Sequence, residues 1–196
     1  EDTLVGRGEY CNYPGDVTEL PSVNSGAETN IEQILALEPD VIVMSKMAQT
    51  VEQVEALEAA GVRVVISDAQ NLAGVYDAIA MLGELTGKQE EAAALSSQMQ
   101  EGFDALREKA EDTGKTVYFE VSPLEWGLWT SGADTFLDEL AQIVGLTNAF
   151  ADVSGWAEIS QEQALARDPD YIVTTAAYYG EGEQPVEEIM SREGWQ

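Results

Sequence analysis

Hydrophobic positions along the chain fall into two alternating registers. Short, largely apolar runs of strand length occupy residues 41–44, 62–67, 115–121 and 171–173, the pattern of strands buried on both faces. Between them apolar residues recur three and four apart, the spacing of one helix face. Val51, Val54, Leu57 and Ala60 predict a helix over 50–60 ended by Gly61, and a second helix over 72–85 stops at Gly87. Residues 134–144, closed by Gly145, and 186–190 predict two more. Strand and helix in alternation argue an α/β chain with mostly parallel sheets. Residues 3–7 read as a further short strand, and Gly and Pro punctuation makes 8–15, 20–26, 122–132 and 148–155 loops.

Residues 88–111 contain no breaker except Gly102, and Leu95, Met99, Phe103 and Leu106 give them a narrow apolar stripe. A helix of this length spans about 36 Å at 1.5 Å per residue. That is long for a connector inside a compact domain and suits a bridge between two lobes. The expected fold is therefore α/β, with two parallel-sheet lobes (residues 1–87 and 112–196) joined by one long helix over 88–111.

The two lobes share a phrase. Residues 30–43 read NIEQILALEPDVIV and residues 160–173 read SQEQALARDPDYIV. At a constant offset of 130, Glu32 matches Glu162, Gln33 matches Gln163, Leu35 matches Leu165, Pro39 matches Pro169 and Asp40 matches Asp170. Two copies are too few for a solenoid and point to two similar halves. Asn30 and Ser160 are N-caps with a glutamine three residues on, the capping-box spacing. Pro39 and Pro169 force the preceding residue out of helical geometry, and a core strand follows. Glu32 and Glu162 fall at N2, where a carboxylate meets the positive helix end. Good helix starters need no other reason to sit there; equal placement in both halves is what suggests a shared task.

Composition narrows the function. The chain carries 37 acidic and 9 basic residues, a net charge of −28. Nucleic acid and anionic membranes are poor partners, because both need Lys and Arg against phosphate. An acidic surface spread over the whole chain serves solubility. No run approaches the ~20 apolar residues of a membrane helix, and no signal peptide is visible. Glu1 in place of Met suggests mature or excised borders. There is no histidine and one cysteine, Cys11, so a structural zinc site and an intrachain disulfide are excluded, and the commonest general base is missing. Cys11 is expected to be a small packed side chain.

Ligands of parallel α/β sheets sit beyond the carboxyl ends of the strands. The loops expected there carry Tyr10 and Tyr13, Ser45 and Met47, Trp126 and Trp129, and Tyr178 and Tyr179, with Trp156 before the second capped helix. Any one of these rings serves equally well to staple a loop to the core. Their convergence suggests an aromatic-walled cleft between the lobes, suited to a flat or bulky apolar ligand. Catalytic signals are weak: Glu120 and Glu125 form a carboxylate pair of the kind chance supplies in so acidic a chain. Gly6-Arg7-Gly8 lacks the third glycine of a dinucleotide fingerprint. Thr130-Ser131-Gly132 before a helix reads as ordinary capping rather than an anion site. The chain is read as not an enzyme.

The stretch from Val5-Gly6 through Tyr10-Cys11-Asn12-Tyr13-Pro14, the capped Asn30-Ile31-Glu32, Pro39-Asp40 and the long connector resembles class III substrate-binding proteins of ABC importers. So do Trp129-Thr130-Ser131-Gly132 and Trp156-Ala157-Glu158-Ile159-Ser160-Gln161-Glu162. That family takes up vitamin B12, iron–siderophores or haem, and the resemblance runs through nearly the whole chain. It implies an extracytoplasmic protein, periplasmic or a cell-surface lipoprotein, with no intrinsic cofactor and no direct membrane insertion in this segment. Its partners would be permease subunits, with Glu32 and Glu162 as the lobe-tip carboxylates that dock onto their arginines. The ligand would be a metal chelate held by Tyr10, Tyr13, Ser45, Trp126, Trp129, Trp156 and Tyr178. The tyrosine loop and Trp156 look most like the cobalamin branch, although Gly26 and Ser45 stand where that branch can carry further tryptophans. Ferric hydroxamates and haem, the latter with Tyr10 or Tyr13 on the iron, are the alternatives. Ferric catecholates usually need an Arg/Lys cluster that this chain scarcely supplies. A ligand-free interaction or sensor module on the same fold is the rival from another class. Relative to the family the chain lacks the first strand and helix of the N-terminal lobe and the last strand and helix of the C-terminal lobe.

Overall fold

A computed structural model describes residues 3–25, 29–46, 50–175 and 185–195. The chain divides into two compact units, residues 1–68 and 69–196. Each is an α/β arrangement, as the alternating pattern predicts.

In the first unit, β1 (Arg7–Gly8) pairs in parallel with β2 (Ser22–Val23) across a 3-10 turn at Gly15–Glu19. The strand expected over 3–7 shrinks to this two-residue ladder. The Arg7 guanidinium instead gathers the carbonyls of Gly8, Glu9 and Cys11, which fixes the following residues as loop. Helix α1 (Ile31–Leu35) leads to β3 (Val41–Ser45), and α2 (Val51–Ala59) to β4 (Arg63–Ser67). Strands β3 and β4 run parallel from Val41 opposite Arg63 to Ser45 opposite Ser67. Thr50 and Gln53 close a full capping box at the start of α2. Among the described residues of the unit, the buried apolar ones are Ile34, Leu57 and Val62.

The second unit opens with α3 (Leu72–Thr86), which ends at Gly87 in the left-handed conformation, and α4 (Gln89–Lys109) packs back on it. Gly83 permits the approach, since a Cβ there would lie 2.6 Å from the Ala92 side chain. By compactness, then, α3 stands with the long helix, whereas the sequence groups it with the first lobe. Strand β5 (Thr116–Glu120) is the spine of a five-stranded sheet. β9 (Tyr171–Thr174) runs parallel along one edge of β5. The other edge is shared: β7 (Thr147–Asn148) pairs in parallel at its start, and β6 (Leu128–Ser131) antiparallel at its end. β8 (Trp156–Ile159) extends the sheet antiparallel to β6.

The sheet is thus parallel around β5 and antiparallel beyond it. The expected loops are corrected accordingly: 122–132 holds a 3-10 turn (Leu124–Trp126) and then β6, and Trp156 lies in β8. Alternation explains β6, with Leu128 and Thr130 buried and Trp129 between them exposed.

Successive residues of β5 face opposite cores. Val117 and Phe119 pack with Ala141 of α5 (Phe136–Ile143), which Thr135 caps. Tyr118 packs with Phe150 and Ala164 on the other side, the last from α6 (Gln161–Arg167). Glu120 ends β5 fully buried, with Arg192 at 2.7 and 2.9 Å just after α7 (Pro185–Ser191). Arg192 also holds Glu188, and the Tyr118 hydroxyl donates to Glu120 at 3.3 Å. Burial pushes the Tyr118 phenol up, reinforced by the Glu120 charge. Burial pulls the Arg192 guanidinium down, but its bonds to Glu120 and Glu188 outweigh this and raise it. Glu120 is therefore a structural partner of Arg192, and Glu125 is exposed in the 3-10 turn rather than paired with it.

Candidate functional site

The duplicated phrase folds the same way twice. The Asn30 side chain accepts from the Gln33 amide at 3.0 Å, and the Ser160 hydroxyl accepts from the Gln163 amide at 3.3 Å. In each helix the first residue is half-buried, the next two are exposed and the fourth, Ile34 or Ala164, is buried. Glu32 and Glu162 are therefore both exposed at N2. Pro39 and Pro169 act on the residue before them: Glu38 has φ 51° and Asp168 φ 45°, at matched positions. Each has left right-handed helical geometry for the left-handed region, which non-glycine residues seldom occupy. The Ser160 hydroxyl bond, then the backbone amides of the first turn, hold the Glu162 carboxyl below its usual range.

The copies differ inside. Ser160 and Gln163 complete a capping box, with the Gln163 side chain returning to the Ser160 amide at 2.8 Å. Gln33 turns instead to the Asn24 amide at 3.5 Å, so α1 is tied to the loop before it. After the proline, Asp170 accepts from the Thr116 amide at 2.8 Å, which holds its carboxyl low and locks β9 to β5. At the matched place Asp40 offers its backbone carbonyl to Arg63 at 3.3 Å.

Tyr10 and Tyr13 lie in one loop and expose 82% and 89% of their surface. Cys11 between them is exposed too, correcting the packed side chain expected of it. Ser45 ends β3 exposed, just before Lys46, which pairs with Asp68 at 2.7 Å. In the second unit Trp126, Trp129 and Trp156 are 59%, 40% and 47% exposed. Trp129 stands across from Glu158, and Ser131 across from Trp156, so both indoles and the carboxylate belong to one face of β6–β8. Tyr178, with Tyr179, Met47 and Gly26, lies outside the described residues.

Thr130-Ser131-Gly132 does not supply the cap. The cap is Thr135, whose hydroxyl bonds Ser131 and the Gly132 carbonyl. Gly132 is needed for backbone approach, since a Cβ there would collide with the Val153 carbonyl. Glu158, to which sequence reasoning gives no role, shares this face. The alternation Trp156, Ala157, Glu158, Ile159 marks it as sharing a strand face with Trp156. Among the described residues, no helix is long and apolar enough to cross a membrane.

A family model described as "Periplasmic binding protein" matches residues 1–196. The chain belongs to the periplasmic binding protein family. It is 33% identical to an uncharacterized ABC transporter substrate-binding lipoprotein of Bacillus subtilis over 99% of this chain and 62% of that protein. It is 30% identical to the vitamin B12-binding protein of Salmonella typhi over 88% of this chain and 65% of that one. The chain thus spans somewhat under two thirds of the length of these relatives. Among solved structures it resembles the periplasmic vitamin B12 binding protein of Vibrio cholerae, with TM-score 0.74 and 26% identity over 88% of this chain and 68% of that one. It also resembles a possible iron-binding periplasmic solute-binding protein of Staphylococcus epidermidis, with TM-score 0.77 and 26% identity over 97% and 75%. Family and lipoprotein relative place the chain outside the cytoplasm.

Proposed function

We propose that the chain is the greater part of a substrate-binding protein that captures a metal chelate, a corrinoid first of all, and hands it to the permease of an ABC importer. The observation that carries this reading is the matched pair Glu32 and Glu162. Each is exposed at N2 of a capped helix, 130 residues apart, ahead of the same left-handed turn and proline. Two carboxylates presented by equivalent structures suit a partner that offers two arginines, one to each. In this reading residues 1–87 and 112–196 are the lobes and 88–111 their connector.

The ligand would be met by Tyr10, Tyr13, Ser45, Trp126, Trp129, Trp156 and Tyr178. Exposed rings of this kind cover a flat apolar ligand and contribute about 25 cal/mol per Å² removed from water. A relative named for vitamin B12 binding at 30% identity supports the corrinoid. The exposed phenols of Tyr10 and Tyr13 favour a second reading, haem with a tyrosine on its iron. We read the chain as a carrier rather than an enzyme, in line with relatives named as binding proteins.

Titration with cyanocobalamin, dicyanocobinamide, haemin and a ferric hydroxamate, followed by tryptophan fluorescence, tests the ligand. Saturable quenching by a corrinoid supports the reading, and no response to any of the four removes it. Glu32→Lys with Glu162→Lys should leave ligand affinity unchanged and abolish stimulation of the reconstituted transporter. Undiminished stimulation would reassign both carboxylates to helix starting alone.

A further inference from the structure

The second unit exposes a carboxylate framed by indoles. On the β6–β8 ladder Glu158 lies directly across from Trp129, and Trp156 is its neighbour two residues along the same face. All three are exposed. The carboxylate leans over Gly127, where an added Cβ would lie 3.0 Å from Glu158 Oε1. Gly127 has φ 85°, so the turn into β6 brings no side chain beneath the carboxylate. The ion pairs of this unit lie elsewhere among the described residues: Lys88 with Glu91, Arg107 with Asp104, Arg167 with Asp152, and Arg192 with Glu120 and Glu188. Glu158 therefore presents an uncompensated negative charge beside two aromatic faces.

We propose that Glu158 sets ligand class at this face. It admits flat chelates whose rim is neutral or cationic and carries N–H donors, and disfavours chelates whose rim carries carboxylates. The physical basis is twofold. A carboxylate accepting from an amide makes a charge-assisted hydrogen bond, stronger than a neutral one. A like charge brought within a few ångströms beside apolar rings is repelled with less screening than in bulk water. The indoles take any flat ring, and the charge between them discriminates by rim chemistry. Corrinoids carry primary amides around the macrocycle, whereas haem carries two propionates. The inference rests on the chelate-binding reading above and specifies which chelate that reading selects.

The test compares the wild-type chain with Glu158→Gln, which keeps shape and hydrogen-bonding reach but removes the charge, and with Glu101→Gln, the same charge change on the exposed surface of α4. Dicyanocobinamide and haemin are titrated against each by tryptophan quenching. In Glu158→Gln, haemin should bind about fivefold tighter and dicyanocobinamide about threefold weaker, while Glu101→Gln leaves both unchanged. The preference for cobinamide over haemin then falls roughly fifteenfold. A wild-type chain that binds a chelate, with the preference unmoved in Glu158→Gln or moved equally in Glu101→Gln, overturns the role of Glu158 alone. A wild-type chain that binds a ferric hydroxamate but neither of these overturns this inference alone, and one that binds none of the three overturns the chelate reading with it.

Discussion

At α1 and β3 the duplicated unit rests on a two-stranded sheet, a small core of which Ile34, Leu57 and Val62 are the buried apolar members among the described residues, and a cap whose glutamine reaches away to Asn24. At α6 and β9 it rests on the spine of a five-stranded sheet, the core cluster around Tyr118 and Phe150, a closed capping box and an aspartate tied to β5. What reaches solvent is nonetheless the same: a carboxylate at N2 and an acidic residue in the left-handed region before proline. The outer surface is written locally, by a cap, a proline and their spacing. The support beneath is written by neighbours far along the chain, and it differs wherever those neighbours differ.

The comparison breaks most sharply at the buried ion pair, which has no match among the described residues of the first unit. Arg192→Ala strands Glu120 in the core and should cost about 3–5 kcal/mol in urea unfolding. The double change Glu120→Leu with Arg192→Met removes both charges and should recover most of that loss. A double variant as unstable as the single would show that packing around Trp195, rather than the stranded charge, sets the cost.

The caps come next. Ser160→Ala should cost about 1 kcal/mol, since the lost hydroxyl both accepts from the Gln163 amide and bonds the Glu162 carboxyl. Asn30→Ala should cost about half as much, because its side chain gives up the bond from the Gln33 amide. Equal losses would mean that the bond to Glu162 adds nothing to the cap.

Smaller again is the effect of acid. Glu162 and Asp170 are held below their usual 4.5 and 3.8, the first by the Ser160 hydroxyl and the second by the Thr116 amide. A depressed folded value means that the folded state binds the proton less readily than the unfolded one. Their stabilisation is complete above those usual values and is lost as pH falls through the lowered folded ones. Carbon-detected NMR titration should find Glu162 shifted back towards 4.5 in Ser160→Ala, with Asp170 unmoved. A Glu162 titration that ignores the loss of Ser160 would disconnect the cap from the charge.

Much of this was legible without coordinates, for reasons particular to each place. The repeat, its N-caps and its prolines are short-range devices and fold as their spacing predicts, except that Gln33 leaves its box open for Asn24. Strands β6 and β8 were hidden, because four residues between glycine-rich turns look like loop until a partner strand is known. Glu120 stood out as a charge ending an apolar strand, but its partner lies 72 positions on, and so acidic a chain offers many false companions. Glu158 was passed over for the same abundance, although its alternation with Trp156 was in plain view. The family resemblance was correct because it rested on the order of motifs along nearly the whole chain, which no single loop could carry.

Glu38 and Asp168 have one more consequence. Both hold a backbone shape that costs an ordinary side chain about 1 kcal/mol or more, and neither is buried. A display library randomised at these two codons and selected for survival under protease should return glycine and asparagine at both. The scaffold thus offers an engineer a matched pair of easy gains, one for each copy of the motif.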